Sequence, residues 1–284
     1  MMNNDIFPCI WFNQNGSEAA QFYTSIFKNS KITVDSSMVI NIEIEGQKLM
    51  FLSVGPQFRP NQSFSLMMMC DSHEEVEDYY QKLSAGGKIM MALDTYPWSE
   101  KYAWVEDLYG ISWQLYYNAE KAEQKFSPVM MFTGNNAGKC REAIGFYTDI
   151  FPNSKVESIM DYPEGQGEAA GNIAHSQFLI GNYTMMAMDS SHDHKVQFSE
   201  GTSMVLMTNN QEETDFYWNK LTDGGEESMC GWLKDRYGFS WQITPKRLIE
   251  LTNNGNPELN KKAFDAMLKM KKIIIKDIED AINS

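Results

Sequence analysis

The side chains able to do chemistry in this chain are few and scattered. Four cysteines, at 9, 70, 140 and 230, stand far apart and form no CxxC, so neither a zinc knuckle nor a disulfide framework is expected. His192-x-His194 has the spacing of a metal-binding couple, but it lies in the charged stretch Asp189-Ser-Ser-His-Asp-His and reads as surface. His73 falls in the first turn of a helix and reads the same way. Cys230 precedes Gly231-Trp232 at the start of a strand. No His or carboxylate follows at a spacing that would lower its pKa, so a structural thiol is expected there, not a nucleophile. Asp107 and Asp235 each occupy a WxxDxYG turn, where a carboxylate accepts backbone N–H groups and the glycine supplies a positive φ. What remains suits ligand binding: Gln114 and Gln242, the tryptophans Trp113 and Trp241 just before them, Ser65 and Ser203, and His175. Amides and hydroxyls of this kind orient a ligand by hydrogen bonds. No catalytic residue is identifiable among them.

Composition narrows the setting. The chain has 284 residues, 24 Lys+Arg against 38 Asp+Glu and a net charge of −14, with 43% hydrophobic residues. That supports packed cores and repels phosphate backbones and anionic membrane surfaces, so neither nucleic acid nor membrane is an expected partner. No apolar run approaches the roughly 20 residues that span a bilayer, and the polar start, residues 1–5, lacks the pattern of a signal peptide. A cytoplasmic protein is expected. Methionine stands out, with twenty in the chain.

The elements that must position these residues come from an internal repeat. Phe22-Tyr-Thr-Ser-Ile-Phe-Lys-Asn-Ser-Lys-Ile32 returns as Phe146-Tyr-Thr-Asp-Ile-Phe-Pro-Asn-Ser-Lys-Val156, identical at eight of eleven positions. Trp104-Val-Glu-Asp-Leu-Tyr-Gly-Ile-Ser-Trp-Gln-Leu115 returns as Trp232-Leu-Lys-Asp-Arg-Tyr-Gly-Phe-Ser-Trp-Gln-Ile243, seven of twelve identical. Two homologous halves, 1–122 and 126–247, are followed by a helical tail over 257–284. A period this long is a domain duplication, since solenoid units are much shorter.

Within the first half, Ala19, Phe22, Ile26 and Phe27 share a helical face, with Ser17 available as N-cap. Val76, Tyr79, Tyr80 and Leu83 form a second helical face, opened by the Ser72-x-x-Glu75 capping box and closed by Gly86-Gly87. Short apolar runs at 7–12, 31–39, 42–44, 49–54, 64–70, 102–106 and 111–117 read as strands, with a weaker one near 89–93. Each half thus reads as two βαβββ units. In the tail, Pro257 starts an amphipathic helix running toward Ile274, and a last turn covers 276–282.

The FYxxIFxNS helix, the helix ending in Gly-Gly and the closing W(L/V)xDxYGxSWQ hairpin together resemble the PhnB-like branch of the vicinal oxygen chelate superfamily, which includes glyoxalase I, extradiol dioxygenases and bleomycin-resistance proteins. The resemblance covers nearly the whole chain. It implies an α+β fold of tandem domains, each built of two βαβββ units in a curved mixed sheet. It also implies an intrachain pseudo-dimer of the two halves, with room for a further homodimer. Members often carry the label 3-demethylubiquinone-9 3-methyltransferase. A usual methyltransferase needs a doubly wound domain with a Gly-rich loop between strand and helix. No such loop follows a strand here, and Gly165-Gln-Gly167 reads as a solvated acidic turn.

In active members of the superfamily, the first and last strands of each unit supply His, Glu or Gln to one divalent ion. Carried over strand by strand, those places hold Cys9 and Trp11, residues 50–52, Ser65, Met67 and Met69, and Gln114 in the first half. In the second half they hold Met130 and Phe132, Met185-Met186, Ser203, Val205 and Met207, and Gln242. Only the glutamines resemble ligands, so no bound metal and no cofactor are expected. The resulting expectation is an apolar, methionine-rich cup that binds a small organic, flat or aromatic molecule. The alternative is a metal-dependent lyase, isomerase or dioxygenase of this superfamily.

Overall fold

The computed structural model describes residues 5–165 and 167–284. The polar start at 1–4 and Gln166 of the Gly-Gln-Gly turn lie outside them. The first repeat supplies strands β1 (Ile6–Phe12), β2 (Ser30–Asp35), β3 (Val39–Ile44), β4 (Gln47–Ser53), β5 (Phe64–Cys70), β6 (Lys88–Tyr96), β7 (Ser99–Glu106) and β8 (Ser112–Tyr117), with helices α1 (Gly16–Ile26) and α2 (His73–Ser84). The second supplies β9 (Phe126–Phe132), β10 (Lys155–Asp161), β11 (Ile173–Ile180), β12 (Tyr183–Asp189), β13 (Thr202–Thr208), β14 (Glu226–Glu227), β15 (Trp232–Lys234) and β16 (Ser240–Pro245), with α3 (Cys140–Ile150) and α4 (Gln211–Thr222). The tail adds α5 (Lys246–Thr252), α6 (Pro257–Met267) and α7 (Ile275–Asn283). The fold is α+β, with four βαβββ units and mixed sheets.

The chain divides into two compact units, Pro8–Thr202 and Asp5–Phe7 with Ser203–Ser284. One whole sheet lies in the first unit, in the order β10-β11-β12-β9-β5-β8-β7-β6. It joins the second βαβββ unit of the first repeat to the first of the second repeat. Its order is symmetric about the antiparallel β5–β9 pair, and each βαβββ unit closes with a parallel pair, β5–β8 or β9–β12. Of the remaining strands, the first unit orders β1-β4-β3-β2 and the second β14-β15-β16-β13. The outermost strands β10 and β6 carry bulges, which twist an exposed edge away from further pairing.

Helix α2 begins as its sequence dictates. Ser72 Oγ accepts the Glu75 N–H (3.2 Å), while the Glu75 carboxylate reaches back to the Asp71 N–H (2.7 Å). Asn210 and Glu213 repeat the arrangement at α4, where Glu213 also accepts the Asn209 N–H. Val76, Tyr79 and Leu83 are buried, each worth roughly 1.5–3 kcal/mol on transfer from water. After the helix, Gly86 turns with φ +76°, and a Cβ on Gly87 would stand 2.1 Å from the Glu106 carbonyl. The second glycine is therefore there to let the β7 backbone approach.

Helix α1 departs from the expected start. Its N-cap is Asn15, the Gly16 N–H donates to Ser53 Oγ (3.1 Å), and Ser17 Oγ donates to Asp35 instead of capping. The tail departs too. Helix α6 stops at Met267, and the residues after it turn back through bends to pack against the β14–β15 turn. Cys230 N–H donates to the Met270 carbonyl and Gly231 N–H to Lys271, both at 2.7 Å. The Gln211 side chain donates to the Ile273 carbonyl (3.1 Å) and accepts the Ile275 N–H (2.8 Å), as a paired strand would. Ile273 is fully buried among Leu248, Leu251, Ala263 and Ile278. No helix among the described residues is long and apolar enough to cross a membrane.

Candidate ligand-binding cup

Strand alternation sends Trp113 and Gln114 to opposite faces of β8. Trp113 faces the helices. It is fully buried, its ring lies 5.7 Å from Tyr23 and 4.9 Å from Phe27, and its Nε1 donates to Asp107 Oδ2 at 2.8 Å. Asp107 is a hub: Oδ2 also accepts the Tyr23 hydroxyl (2.6 Å), and Oδ1 accepts the Tyr109 and Ile111 N–H groups. Burial pushes the Asp107 carboxyl up to about 6, against the pull of those four bonds. The turn role expected of Asp107 is what the geometry displays, with Gly110 at φ +84°. Trp113, expected among the ligand-binding residues, fills the core beneath the helices.

Gln114 faces away from the helices, onto the face of the sheet expected to line the cup. Its Oε1 accepts the Tyr102 hydroxyl at 2.7 Å and its Nε2 donates to Ser65 Oγ at 2.8 Å. Burial pushes the Tyr102 hydroxyl far above its usual range, so it stays a neutral donor. These three residues come from β8, β7 and β5. The register aligns Trp104 and Met67 with Gln114 on the two flanking strands. Around this polar row lie two contiguous apolar clusters. One joins Met67, Val129 and Met186 with Met69, Tyr116 and Met188. The other joins Tyr102, Trp104 and Met131 with Met90, Met91, Tyr96 and Val196. At the end of the β6–β7 hairpin the Tyr96 and Trp98 rings stack at 5.1 Å, both edge-on to Tyr102, and Tyr116 donates its hydroxyl to the Trp98 carbonyl. Methionine and aromatic side chains thus enclose one hydrogen-bonded chain of polar groups.

His175 lies on β11 opposite Met160 and is half-buried, and burial lowers its pKa, which favours the neutral imidazole. Its neighbour Phe178, three residues on, stacks on Tyr147 of α3, so alternation turns His175 to the cup face. Four strand spacings, about 19 Å along the sheet, separate β11 from β8. The fold therefore does not bring His175 to Gln114. His192 is 70% exposed, as expected of a surface loop, whereas His194 is tucked in, with Nε2 2.8 Å from Ser190 Oγ. The cysteines at 70 and 140 are buried with thiols pushed up by desolvation, and Cys230 is raised in the same direction.

In the second unit Gln242 Nε2 donates to Ser203 Oγ at 3.0 Å, as Gln114 does to Ser65. Trp241, the other tryptophan expected to bind a ligand, is fully buried and donates to Asp235 Oδ2 at 2.9 Å, so it too lies in a core. Asp235 Oδ1 accepts the Tyr237 and Phe239 N–H groups.

The superfamily's divalent ion does not fit the first unit's cup. Its first and last strands present Ser65 and Met67, Gln114, Val129 and Met131, and Met186 and Met188 there. The two hard donors are already bonded to each other, and thioethers bind hard or borderline ions poorly. Among the described residues no group of three His, Cys, Asp or Glu side chains could hold a metal. The expected cup positions of β9 need correcting. Strands β1 and β9 begin 120 residues apart, which puts Val129 and Met131 on the cup face and turns Met130 and Phe132 to the helices.

The family model described as 3-demethylubiquinone-9 3-methyltransferase matches twice, over residues 4–116 and 124–244. The PhnB protein of Bacillus cereus, provisionally assigned as a 3-demethylubiquinone-9 3-methyltransferase, is 31% identical over 39% of this chain and 96% of its own, with a TM-score of 0.37. Glyoxalase I of Zea mays is 12% identical over 83% of this chain and 89% of its own, with a TM-score of 0.58, a likeness of fold. No curated protein matches.

Proposed function

Because the chain belongs to the 3-demethylubiquinone-9 3-methyltransferase family, in its PhnB-like form with two copies, and because its cup is apolar, we propose that it binds a small, flat organic molecule against Gln114 without a bound metal. The observation that carries this is the Ser65–Gln114–Tyr102 row enclosed by methionine and aromatic side chains. Such a lining adapts to flat ligands, and a few convergent polar groups fix their orientation.

The row has a direction. Tyr102 spends its proton on Gln114, and Gln114 spends one N–H on Ser65. This leaves the Ser65 hydroxyl proton and the second Gln114 N–H as donors, with the Tyr102 oxygen as acceptor. A planar molecule carrying a carbonyl would accept from Ser65 or Gln114 while its rings lie among Trp104, Met131 and Met188. These groups bind and orient, and none of them is a nucleophile or a base. The family's name does not carry methyl transfer to this chain: the mixed sheets are not the doubly wound parallel sheet on which a usual methyltransferase holds its cofactor.

The reading is tested by thermal shift against a set of planar aromatic carbonyl compounds. A compound at a hundred times its Kd should stabilise the wild type by about 2.7 kcal/mol. The same compound should stabilise Gln114→Ala far less. Undiminished stabilisation of Gln114→Ala would take Gln114 out of the site.

A further inference from the structure

The two repeats treat the wall beside the glutamine differently. In the first unit the hairpin β6–β7 runs from Lys88, paired with Glu106, through Tyr96 and Trp98 at its end. The corresponding pair in the second unit is Glu226 with Lys234. The first hairpin spans 19 residues and the second 9, so 19 − 9 = 10 residues are missing. The lost residues include those equivalent to Tyr96 and Trp98. Counting back from the matching tryptophans, Tyr102-x-Trp104 against Cys230-x-Trp232, the residue in place of Tyr102 is Cys230.

Cys230 does not sit on a wall strand. It lies at φ +60° in a tight turn, in which Ser228 N–H donates to the Trp232 carbonyl (2.9 Å) and Trp232 N–H to Met229 (3.1 Å). In the first unit β6 lies alongside Tyr102. In the second, the tail takes that role for Cys230 and Gly231, accepting their N–H groups on Met270 and Lys271. Gln242 keeps its serine, but its Oε1 has no hydroxyl corresponding to Tyr102.

Resting on the ligand-cup reading above, we infer that binding is confined to the first cup: one ligand per chain, with Tyr102 as a specificity-determining residue. The Gln242–Ser203 pair is a structural remnant, and the C-terminal tail stands in for the missing hairpin. The aromatic end of the first hairpin closes over a ligand lying on the Gln114 row. The shortened second hairpin offers no such cover.

The test uses the full chain and the neutral planar dye Nile red, whose carbonyl can accept from Ser65 or Gln114. Titration should give one equivalent bound per chain. Tyr102→Phe removes one hydroxyl and keeps the ring, so it should weaken binding by about five- to tenfold, the range of a single hydrogen bond. Trp98→Ala, at an exposed and tolerant position, should weaken it as well. Gln242→Ala should leave binding within about twofold of the wild type. Two equivalents per chain, or equal losses for Gln242→Ala and Tyr102→Phe, would overturn the single-site inference and leave the ligand-cup reading standing. No saturable binding at all would overturn both.

Discussion

Replacing Tyr23 by Phe tests the hub that fixes β8, and with it the orientation of Gln114. Tyr23 is fully buried and donates to Asp107 Oδ2 at 2.6 Å, while its ring packs on Phe51 and Trp113, each 5.7 Å away. Phenylalanine keeps those ring contacts and removes only the hydroxyl. A hydrogen bond to a charged group contributes about 1.5–3 kcal/mol net, so a loss of about 2 kcal/mol is expected at pH 7. For a unit the size of Pro8–Thr202 that corresponds to a fall of roughly 4–8 °C in its unfolding temperature. The loss should depend on pH. Asp107 in the folded chain titrates at about 6, above its ordinary value because burial disfavours the charge. Between about pH 4 and 6 the folded state holds a proton that the unfolded chain has released, so this group's own contribution to stability falls as pH rises through that window. The Tyr23 bond is strongest to the ionised carboxylate, so the penalty of Tyr23→Phe should be full at pH 7 and smaller at pH 5. Calorimetric scans of both proteins at the two pH values measure it. A shift under 1 °C at pH 7, or one of equal size at pH 5, would refute the reasoning.

Three further outcomes are expected. Gly87→Ala should cost at least about 2 kcal/mol, because its Cβ would meet the Glu106 carbonyl at 2.1 Å; Gly86→Ala should cost about 1–2 kcal/mol, for its positive φ alone, and urea midpoints would rank the pair. Gln211→Ala removes the clamp on Ile273 and Ile275, so limited proteolysis should cut within the tail faster than in the wild type, and equal rates would refute the clamp. Dialysis against EDTA should leave the unfolding temperature unchanged within about 1 °C, since the cup's two hard donors are bonded to each other; a clear drop would point to an ion that this donor set does not predict.

Much of this molecule is legible in the sequence because its punctuation is chemical. The capping residues Ser72 and Asn210, the paired glycines and the Asp107 turn each follow from what one side chain can do for nearby backbone. Alternation also makes the methionine runs readable: of Met67-Met68-Met69 only the outer two join the cup cluster. Less legible is anything decided by distant contacts. Nothing near Ser17 says that Ser53 will serve the start of α1. The helical spacing through Ile274 cannot reveal that Met270 and Lys271 are needed as acceptors by Cys230 and Gly231. Trp113 beside Gln114 reads as a ligand-binding residue until Asp107 and α1 are seen to claim it.

The asymmetry of the repeats was written in the spacings all along. Phe22 and Phe146 differ by 124, Gly86 and Gly224 by 138, and Trp104 and Trp232 by 128. The second repeat therefore gains fourteen residues between α3 and α4 and loses ten after α4, and the loss falls wholly within the hairpin that follows the paired glycines. A ten-residue loss from a hairpin strips the tip and spares the base, because the base pair is anchored by Gly-Gly on one side and the Asp turn on the other. What disappears is the part that overhangs the cup, and what stays is the core beneath. Loss of ladder partners would leave the Cys230 and Gly231 N–H groups unpaired, at about 1–3 kcal/mol each if buried, and the tail carbonyls meet that need. Shortening the hairpin and docking the tail are thus two halves of one structural change within the second unit.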